Sequence, residues 1–535
     1  MRAFAALLDA LLYTTSRNAK LALLADYLRA TPDPDRGWAL AALTGELDFP
    51  AVKASTFRGL MHERVDPVLW SLSRDFVGDT AETVSLLWPD PPCDVTASSP
   101  ADISLREVVA RLSTLTRSTA PGELARLLDR LDSSGRYTLI KFATGAMRVG
   151  VSARLARTAF AQAFGVAVED VEEYWHGQTP PYAALFAWAL QGAEPPRTDD
   201  LPLFRPFMLA HPLEQEEVSL DDYAAEWKWD GIRAQLVHVG GETRAYSRSG
   251  DDISASFPEM VAALDFPVVL DGELLVRGTQ QGGEQGGAAS FNALQQRLGR
   301  KTVSKAMLAQ YPVFMRVYDL LIREGEDLRP LPWHARRAAL EALMPRLPAS
   351  HFDLSALVEA RDFADLAALR ENARDAAIEG LMLKRRDAPY VAGRRAGLWF
   401  KWKRDPLLVD CVLMYAQRGS GKRSSFYSDY TFGCWDGDPA AGGQLLPVGK
   451  AYSGFSDEEL VLIDRHVRQN TVNRFGPVRE VERQLVFEVA FDSVHASTRH
   501  KSGLAMRFPR IRRIRWDKPA DEADRIEALR ALIRD

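Results

Sequence analysis

A change in sequence pattern at one proline-rich and charged segment, LQGAEPPRTDDLPLFRPF (190–207), constrains the fold more than any other feature. Before this segment, apolar residues recur at spacings of three and four, as in NAKLALLADYLRA, which predicts packed amphipathic helices. After it, short β-rich runs such as AQLVHV and VVLDGELLV alternate with helical stretches. The segment is therefore predicted to link two differently folded parts of the chain.

The length of the chain, 535 residues, exceeds what one hydrophobic core usually serves, so a multidomain protein is expected. We predict an all-α domain over residues 1–200 and a mixed α/β (α+β) domain over residues 201–403. Strands become more frequent beyond that point, and a small β-barrel is predicted over residues 404–535. Barrels of this size are a common architecture for accepting nucleic acid.

Composition excludes several classes of protein. The three cysteines, Cys93, Cys411 and Cys434, form no CxxC pair, which excludes a four-cysteine zinc site. No apolar run approaches the roughly 20 residues of a membrane-spanning helix. A net charge of −5 does not by itself indicate nucleic acid, but the basic residues are unevenly distributed and cluster near the C-terminus.

The N-terminal segment MRAFAALLDALLYTTSRNAK could suggest a signal peptide. Asp9 interrupts its apolar stretch and no small-residue cleavage site follows, so a packed helix explains the segment better. Its apolar residues lie at helical spacing: Phe4, Leu7, Leu8, Leu11 and Leu12. A cytoplasmic protein without a membrane partner is therefore expected.

The segment EWKWDGIRAQ (226–235) has the residues that a lysine nucleophile requires. An amine becomes nucleophilic when desolvation or neighbouring cations favour its neutral form. After Lys228, Gly231 allows a close approach of the backbone to a ligand, and Arg233 can hold phosphate oxygens. Taken alone, the same segment could equally be the end of a strand with a solvated lysine.

Five further elements follow in an order that suits nucleotide chemistry. They place an arginine on a turn, carboxylates at two strand starts, an aromatic ring and two lysines on one strand face: Arg248, Glu273, Tyr318, Glu379, and Lys401 with Lys403. The two carboxylates are hard oxygen ligands of the kind that Mg²⁺ uses beside substrate phosphates. Tyr318 alone could be a core residue, and the lysine pair alone a solvated face. Together the six elements predict a nucleotide site.

This set of motifs closely resembles the nucleotidyltransferase superfamily that forms a covalent lysyl-AMP and, within it, the ATP-dependent DNA ligases, bacterial accessory or repair enzymes above all. The resemblance covers most of the chain. It implies that residues 1–200 form a DNA-binding domain, residues 201–403 an ATP-grasp-like adenylation domain, and residues 404–535 an OB-fold. ATP and Mg²⁺ are the cofactors that it implies.

The resemblance also implies a role for each residue of the central motifs. Lys228 would be the adenylated nucleophile, and Glu273 and Glu379 would bind the metal. The nucleotide would be held by residues at the base, the ribose and the phosphates: Glu226, Tyr318, Arg233, Arg248, Glu273, Arg395, Lys401 and Lys403. The family more often has phenylalanine at the position of Tyr318, and tyrosine keeps the stacking face.

The segment RFPRIRRIRWDK (507–518) resembles the last ligase motif, with Arg510, Arg515, Asp517 and Lys518 at the matching places. Arg510 and Lys518 would then bind the departing pyrophosphate, although a basic strand on a barrel is the alternative. DNA contacts are expected from basic residues in two places: Lys141, Arg148 and Arg154 in the helical section, and Lys422 and Arg423 in the loop GSGKRSS. That loop looks like a P-loop but has Ala416 where the first glycine would fall.

The leading hypothesis is an ATP-dependent ligase that seals nicks in duplex DNA, as a monomer, in DNA repair and beside other repair proteins. RNA ligases and mRNA guanylyltransferases share the lysine motif, but the helical N-terminal section argues against capping and Glu226 argues for adenine. The NAD-dependent ligases are disfavoured because their zinc cysteines are absent. A non-catalytic nick-binding scaffold would have no need of Lys228.

Overall fold

A computed structural model describes residues 1–89, 103–145, 147–196, 200–214, 218–278, 294–300, 302–373, 377–419, 426–497 and 500–533. The chain forms two compact units. One unit contains Met1–Val171, Thr179–Glu194 and Pro406–Arg534, and the other contains Glu172–Gln178 and Pro195–Asp405. The second, which we call the central unit, carries the motifs from Glu226 to Lys403.

The N-terminal region is helical, as predicted. Its helices are α1 (Arg2–Tyr13), α2 (Arg17–Ala30), α3 (Asp35–Thr44), α4 (Ala54–His62), α5 (Pro67–Val77), α6 (Thr80–Leu87), α7 (Leu105–Ser113), α8 (Ala120–Asp129), α9 (Ser133–Thr144), α10 (Ala153–Phe164), α11 (Val168–Trp175) and α12 (Ala183–Gln191).

The helices form because their apolar stripes converge on one core. In α1, Phe4, Leu8 and Leu11 are buried, as their spacing predicts, and they join a cluster to which α2–α10 contribute. The hydroxyl of Ser152 accepts a hydrogen bond from the backbone N–H of Leu155 at 3.2 Å, so Ser152 is the N-cap of α10. No helix among the described residues has both the length and the apolar character needed to cross a membrane.

The central unit is a mixed structure. Its elements are β1 (Met208–Leu209), β2 (His211–Pro212), β3 (Tyr223–Trp229), β4 (Ile232–Val239), β5 (Glu242–Ser247), α13 (Pro258–Val261), β6 (Val268–Val276), α14 (Lys305–Gln310), β7 (Val313–Arg323), β8 (Glu326–Asp327), α15 (Trp333–Leu343), β9 (Phe352–Leu354), α16 (Phe363–Asn372), β10 (Ile378–Arg385), β11 (Gly393–Arg394) and β12 (Trp399–Lys403).

Two sheets organise the central unit. One has the order β5-β4-β6-β7-β8 with β9 added beside β7, and the other has the order β2-β12-β10-β3. A small parallel pair, β1-β11, accompanies them. A cluster of buried side chains from several of these strands, including Val237, Val269 and Trp399, packs together and fixes the functional strands at their positions.

The C-terminal section contains β13 (Leu407–Arg418), β14 (Tyr427–Trp435), β15 (Leu445–Ala451), α17 (Asp457–Gln469), β16 (Thr471–Phe475), β17 (Val478–Val481), β18 (Val486–Phe491), β19 (Ser493–Ala496), β20 (Leu504–Arg507), β21 (Arg510–Arg515) and α18 (Ile526–Arg530). Seven of these strands form one sheet. Five follow the order β15-β14-β13-β17-β16, and β18 pairs with both β13 and β21.

This sheet departs from the predicted barrel. Among the described strands, β15, β16 and β21 each have a neighbour on one side only, so the hydrogen-bonded path does not close. The long strand β13 makes the difference, because it pairs with β14 along one edge and with both β17 and β18 along the other. The sheet therefore branches at β13 instead of running once around a ring.

Candidate active site

The four-stranded sheet aligns charged side chains in rows across one face. Lys228 on β3 lies opposite Gly380 on β10, which lies opposite Lys403 on β12. In the next row, Glu226 and Lys401 flank Met382. Because side chains alternate along a strand, both rows belong to the same face. The structure thus brings together residues that are 175 positions apart in the sequence (403 − 228).

A β-bulge brings Glu379 onto this face. The register passes from the pair Ile378–Trp229 directly to the pair Gly380–Lys228, so Glu379 is an extra residue in β10. An extra residue re-aims its side chain. Oε2 of Glu379 lies 2.6 Å from Nζ of Lys228 and 3.3 Å from Nζ of Lys403. The predicted nucleophile and one predicted metal ligand are thus in direct contact.

The electrostatics of this face are dominated by cations. Burial alone would raise the pKa of Glu379, but the ammonium groups of Lys228 and Lys403 hold that pKa well below its usual range. Burial lowers the pKa of Lys401, and so do the charges of its neighbours, in decreasing order Arg394, Lys403, Lys228 and Arg248. Such a cluster is suited to holding several phosphate oxygens at once.

Glu273 faces Lys228 from the six-stranded sheet. It pairs with Arg233 in the register of β6 and β4. Burial raises the pKa of Glu273 to about 8, against the opposing charges of Lys228 and Arg233. The two carboxylates near Lys228 therefore have contrasting environments. Neighbouring cations favour the ionised form of Glu379, whereas burial favours the protonated form of Glu273.

Arg233 makes several contacts within the central unit. Its guanidinium makes a bidentate ion pair with Asp271, at 3.1 and 2.7 Å, and donates to the carbonyl of Met208 at 2.8 Å. It also lies 4.1 Å from the ring of Phe207 and 3.3 Å from the hydroxyl of Tyr390. These protein groups surround the guanidinium, so here Arg233 holds strands together, and its contact with ribose or phosphate stays a prediction.

Tyr318, which is predicted to stack on the base, lies at a second β-bulge. Between Asp271 and Gly272 of β6, the partner residues on β7 change from Asp319 to Val317, so Tyr318 is an extra residue in β7. Burial raises the pKa of Tyr318 well above its usual value. The ring is therefore a neutral, partly enclosed aromatic surface, as stacking on a base requires.

A buried lysine that the sequence analysis missed adjoins this ring. Nζ of Lys384 lies 4.5 Å from the ring centre of Tyr318 and 4.7 Å from that of Trp399. It donates to Oε1 of Glu226 at 2.9 Å, and the guanidinium of Arg337 lies 4.0 Å from the same oxygen. Alternation along β10 could have revealed it, because Lys384 shares a face with Gly380 and Met382.

Two predicted arginines lie at the surface of the central unit. Arg248 is exposed on the turn after β5, and its charge acts on Lys401. Arg395 is also exposed, but the charge that acts on Lys401 is that of its neighbour Arg394, on β11. The contact of Arg395 with the nucleotide stays a prediction.

The basic residues of the last motif are paired with carboxylates in the C-terminal sheet. Arg510 lies 3.2 Å from Asp492. Lys518 lies 2.8 Å from Asp410, which also accepts from Arg515 at 3.2 Å. These carboxylates keep the basic strand β21 and the turn after it ordered.

The predicted DNA contacts differ in their surroundings. Lys141 departs from the prediction, because its side chain is buried in the helical region with Nζ 2.6 Å from Asp79. Arg148 and Arg154 are exposed, and Arg148 has a left-handed backbone, with φ of +33°. Lys422 and Arg423 lie outside the described residues.

Comparisons with known proteins agree with this geometry. Residues 207–403 match the model of the ATP dependent DNA ligase domain, and residues 423–518 match that of the ATP dependent DNA ligase C terminal region. A "Probable DNA ligase" of Koribacter versatilis is 32% identical over 100% of this chain and 96% of its own length. "DNA ligase 1" of Korarchaeum cryptofilum is 30% identical, over 97% and 95%.

One solved structure, "Pmar-Lig_Pre.", covers 96% of this chain and 99% of its own, with a TM-score of 0.60 and 16% identity, and so shares the fold. The two family models and the full-length relatives decide the class: the chain belongs to the ATP-dependent DNA ligase family. It is a ligase enzyme that uses ATP.

Gly380 is the position in this site where a side chain is least tolerable. A Cβ there would lie 2.2 Å from the carbonyl oxygen of Trp402, and φ is +149°. We expect Gly380→Ala to lower the free energy of unfolding by about 1–3 kcal/mol, from backbone strain alone. It should also slow ATP-dependent sealing by about tenfold or more, because β10 and β12 must separate. Urea unfolding and single-turnover sealing measure the two effects.

Gly397 offers a matched control for this substitution. Its φ is also positive, at +75°, but a Cβ added there would meet no atom within 4 Å. Gly397→Ala should therefore share the strain and keep the sealing rate. Equal sealing rates for the two variants would contradict the structural requirement at Gly380.

Proposed function

We propose that this ligase carries AMP covalently on Lys228 and uses it to seal nicks in duplex DNA. The observation that carries the proposal is the 2.6 Å contact between Nζ of Lys228 and Oε2 of Glu379, on a face shared with Lys401 and Lys403. All four residues fall within the range matched by the ligase domain. A lysine amine amid cations that attract phosphate suits attack on the α-phosphate of ATP.

The reaction would run in three displacements. The amine of Lys228, after losing a proton, forms a P–N bond with the α-phosphorus while the α–β bond breaks and pyrophosphate leaves with the electron pair. A 5′-phosphate oxygen of the nick then attacks the same phosphorus, and the P–N bond breaks. Finally the 3′-hydroxyl attacks the 5′-phosphate and AMP leaves. Lys401 and Lys403 would stabilise charge on the phosphate oxygens in the first two steps.

Glu273 and Glu379 would hold Mg²⁺. This ion is bound through one or two carboxylates together with substrate phosphates and waters, and both carboxylates lie beside Lys228. Among the described residues, no group of three or more His, Cys, Asp or Glu side chains could hold a metal. Bound Mg²⁺ would neutralise charge on the reacting phosphate groups.

Adenine would be read at the pocket formed by Glu226, Tyr318, Lys384 and Trp399. The carboxylate of Glu226 can accept from the exocyclic amino group of adenine, and the ring of Tyr318 can stack on the base. Lys384 and Arg337 both lie at Oε1 of Glu226. Their positions favour a fixed orientation of the carboxylate and thus a defined hydrogen-bond acceptor.

For the whole chain, we propose three functional domains, over residues 1–200, 201–403 and 404–535, with a helical DNA-binding domain first and an OB-fold last. The match of residues 423–518 to the C-terminal region of ATP-dependent DNA ligases supports the OB-fold assignment. We further propose that the enzyme acts as a monomer on nicked duplex DNA during repair, beside other repair proteins, and in the cytoplasm.

Loss of the lysine amine should abolish covalent labelling. Lys228→Ala and Lys228→Arg are expected to retain no label from α-labelled ATP after denaturation, because no other group can form the P–N bond. Lys305→Ala, which alters an exposed lysine of the same unit, should label normally. Persistent label on Lys228→Ala would refute the assignment. Label from GTP or NAD on the unaltered enzyme would favour the related nucleotidyltransferases.

The basic C-terminal motif should matter for the first step only. Pyrophosphate oxygens are present while ATP is bound and absent afterwards, so Arg510→Ala is expected to lose self-adenylation. The same variant should still seal a nick that already carries AMP on its 5′ end. Both reactions are measured on denaturing gels. An equal loss of both would instead assign Arg510 to DNA binding or folding.

Arg148 and Arg154 should bind DNA phosphates without reading sequence. Removing both side chains is expected to weaken nick binding and to reduce the slope of log K against log salt by about two, since each contact releases close to one counterion. Self-adenylation should be unchanged. Titrations at several salt concentrations measure the slope. An unchanged slope would favour a protein-interaction or stability role for the helical region.

A further inference from the structure

A short segment that begins in the last turn of α11 belongs to the central unit. Glu172–Gln178 packs with that unit, whereas the residues before and after it, up to Val171 and over Thr179–Glu194, belong to the other. The segment includes the last turn of α11. It lies outside the range matched by the ligase domain, which begins at residue 207.

A carboxylate anchors this segment. Glu173 makes a bidentate ion pair with Arg329, at 2.9 and 3.2 Å, and lies 3.5 Å from Nε of Arg205. The backbone of Arg205 is itself fixed, because the buried side chain of Gln235 on β4 accepts from its N–H and donates to its carbonyl. The segment is therefore fixed to the six-stranded sheet through two arginines.

Aromatic rings continue the contact towards the nucleotide site. The ring of His176 meets that of Phe204 edge to face at 4.9 Å, and Phe204 meets Phe207 in the same way at 4.9 Å. Phe207 lies 4.1 Å beneath the guanidinium of Arg233. Phe204 also packs against Tyr246, at the end of β5.

The turn that carries Arg248 rests on two of these rings. The N–H of Gly250 donates to the carbonyl of Ser247 at 2.9 Å and closes the turn. The φ of Gly250 is +87°, and a Cβ there would lie 2.8 Å from Cε1 of His176 and 3.1 Å from Cδ1 of Phe204. Glycine is required for both reasons, since the backbone lies directly on the rings.

We propose that Glu172–Gln178 is a positioning element for self-adenylation, with His176 as the residue that holds the Arg248 turn at the nucleotide. The proposal rests on the proposed function and on the predicted contact between Arg248 and the nucleotide. Arg248 is exposed, so the direction of its side chain depends on how firmly the turn is held. A displacement of about 1 Å can cost a factor of about 100 in rate, so removing the ring should act through Arg248.

A double-mutant cycle in the full-length enzyme tests this coupling. Initial rates of labelling by α-labelled ATP are measured over a range of ATP concentrations for His176→Ala, Arg248→Ala and the double variant. We expect each single variant to lower kcat/KM by about tenfold, a loss of about 1.4 kcal/mol. The double variant should be no slower than Arg248→Ala alone, because the ring has nothing left to position.

Two controls keep the test specific. His176→Phe preserves the ring contact and should restore the rate, whereas a general effect on folding would not be restored in this way. Asp170→Ala alters an exposed carboxylate on the same helix and should have no effect. If His176→Ala does not unfold cooperatively, Glu173→Gln takes its place in the cycle, because it weakens the ion pair with little change in shape.

The outcomes separate this proposal from the function on which it rests. The positioning role would be overturned if the loss of kcat/KM in the double variant equalled the product of the losses in the two single variants. His176 would then act independently of Arg248. An unaltered rate for Arg248→Ala would also overturn it, while leaving AMP on Lys228 intact. Label that survives in Lys228→Ala would instead refute the proposed function itself.

Discussion

The contact between Lys228 and Glu379 depends on one irregularity in a sheet. In a regular strand, Glu379 would point away from the face that bears Lys228, since neighbouring side chains alternate. The bulge before Gly380 reverses this, and the glycine permits both the φ of +149° and the close passage of Trp402. The lysines of β3 and β12 can then share one carboxylate. The position of the reactive amine is thus set by backbone geometry as much as by charge.

Buried ion pairs keep the surrounding strands in place. Arg233 with Asp271, and Lys384 with Glu226, each bury two charges, and desolvation opposes such pairs unless the geometry is good. Both pairs lie beside the ring of Tyr318, with Arg233 5.8 Å and Lys384 4.5 Å from its centre. Removing one partner would leave an uncompensated charge, which costs far more than losing the pair together. These pairs therefore specify the shape of the pocket more than they stabilise the chain.

The sequence predicted the helical region and the set of motif residues, and it failed where backbone geometry decides. The helical periodicity of α1 was confirmed, and the ligase family was recognised from ordered motifs. The bulges at Tyr318 and Glu379 follow from no local pattern, because alternation predicts the opposite face for an inserted residue. Lys141 also has an environment that its local sequence does not indicate: its side chain is buried with Nζ 2.6 Å from Asp79, and its DNA contact stays a prediction.

The C-terminal cations proposed to bind pyrophosphate are paired with carboxylates. Arg510 on β21 is paired with Asp492, and Lys518 after the strand is paired with Asp410. The Arg510–Asp492 pair is partly exposed and therefore weak, so in the proposed reaction a phosphate of ATP could replace Asp492 at little cost. A cation with a weakly bound carboxylate partner keeps a defined position, and it can exchange that carboxylate for a more highly charged anion. The net charge of −5 is thus compatible with a site made of arginine and lysine.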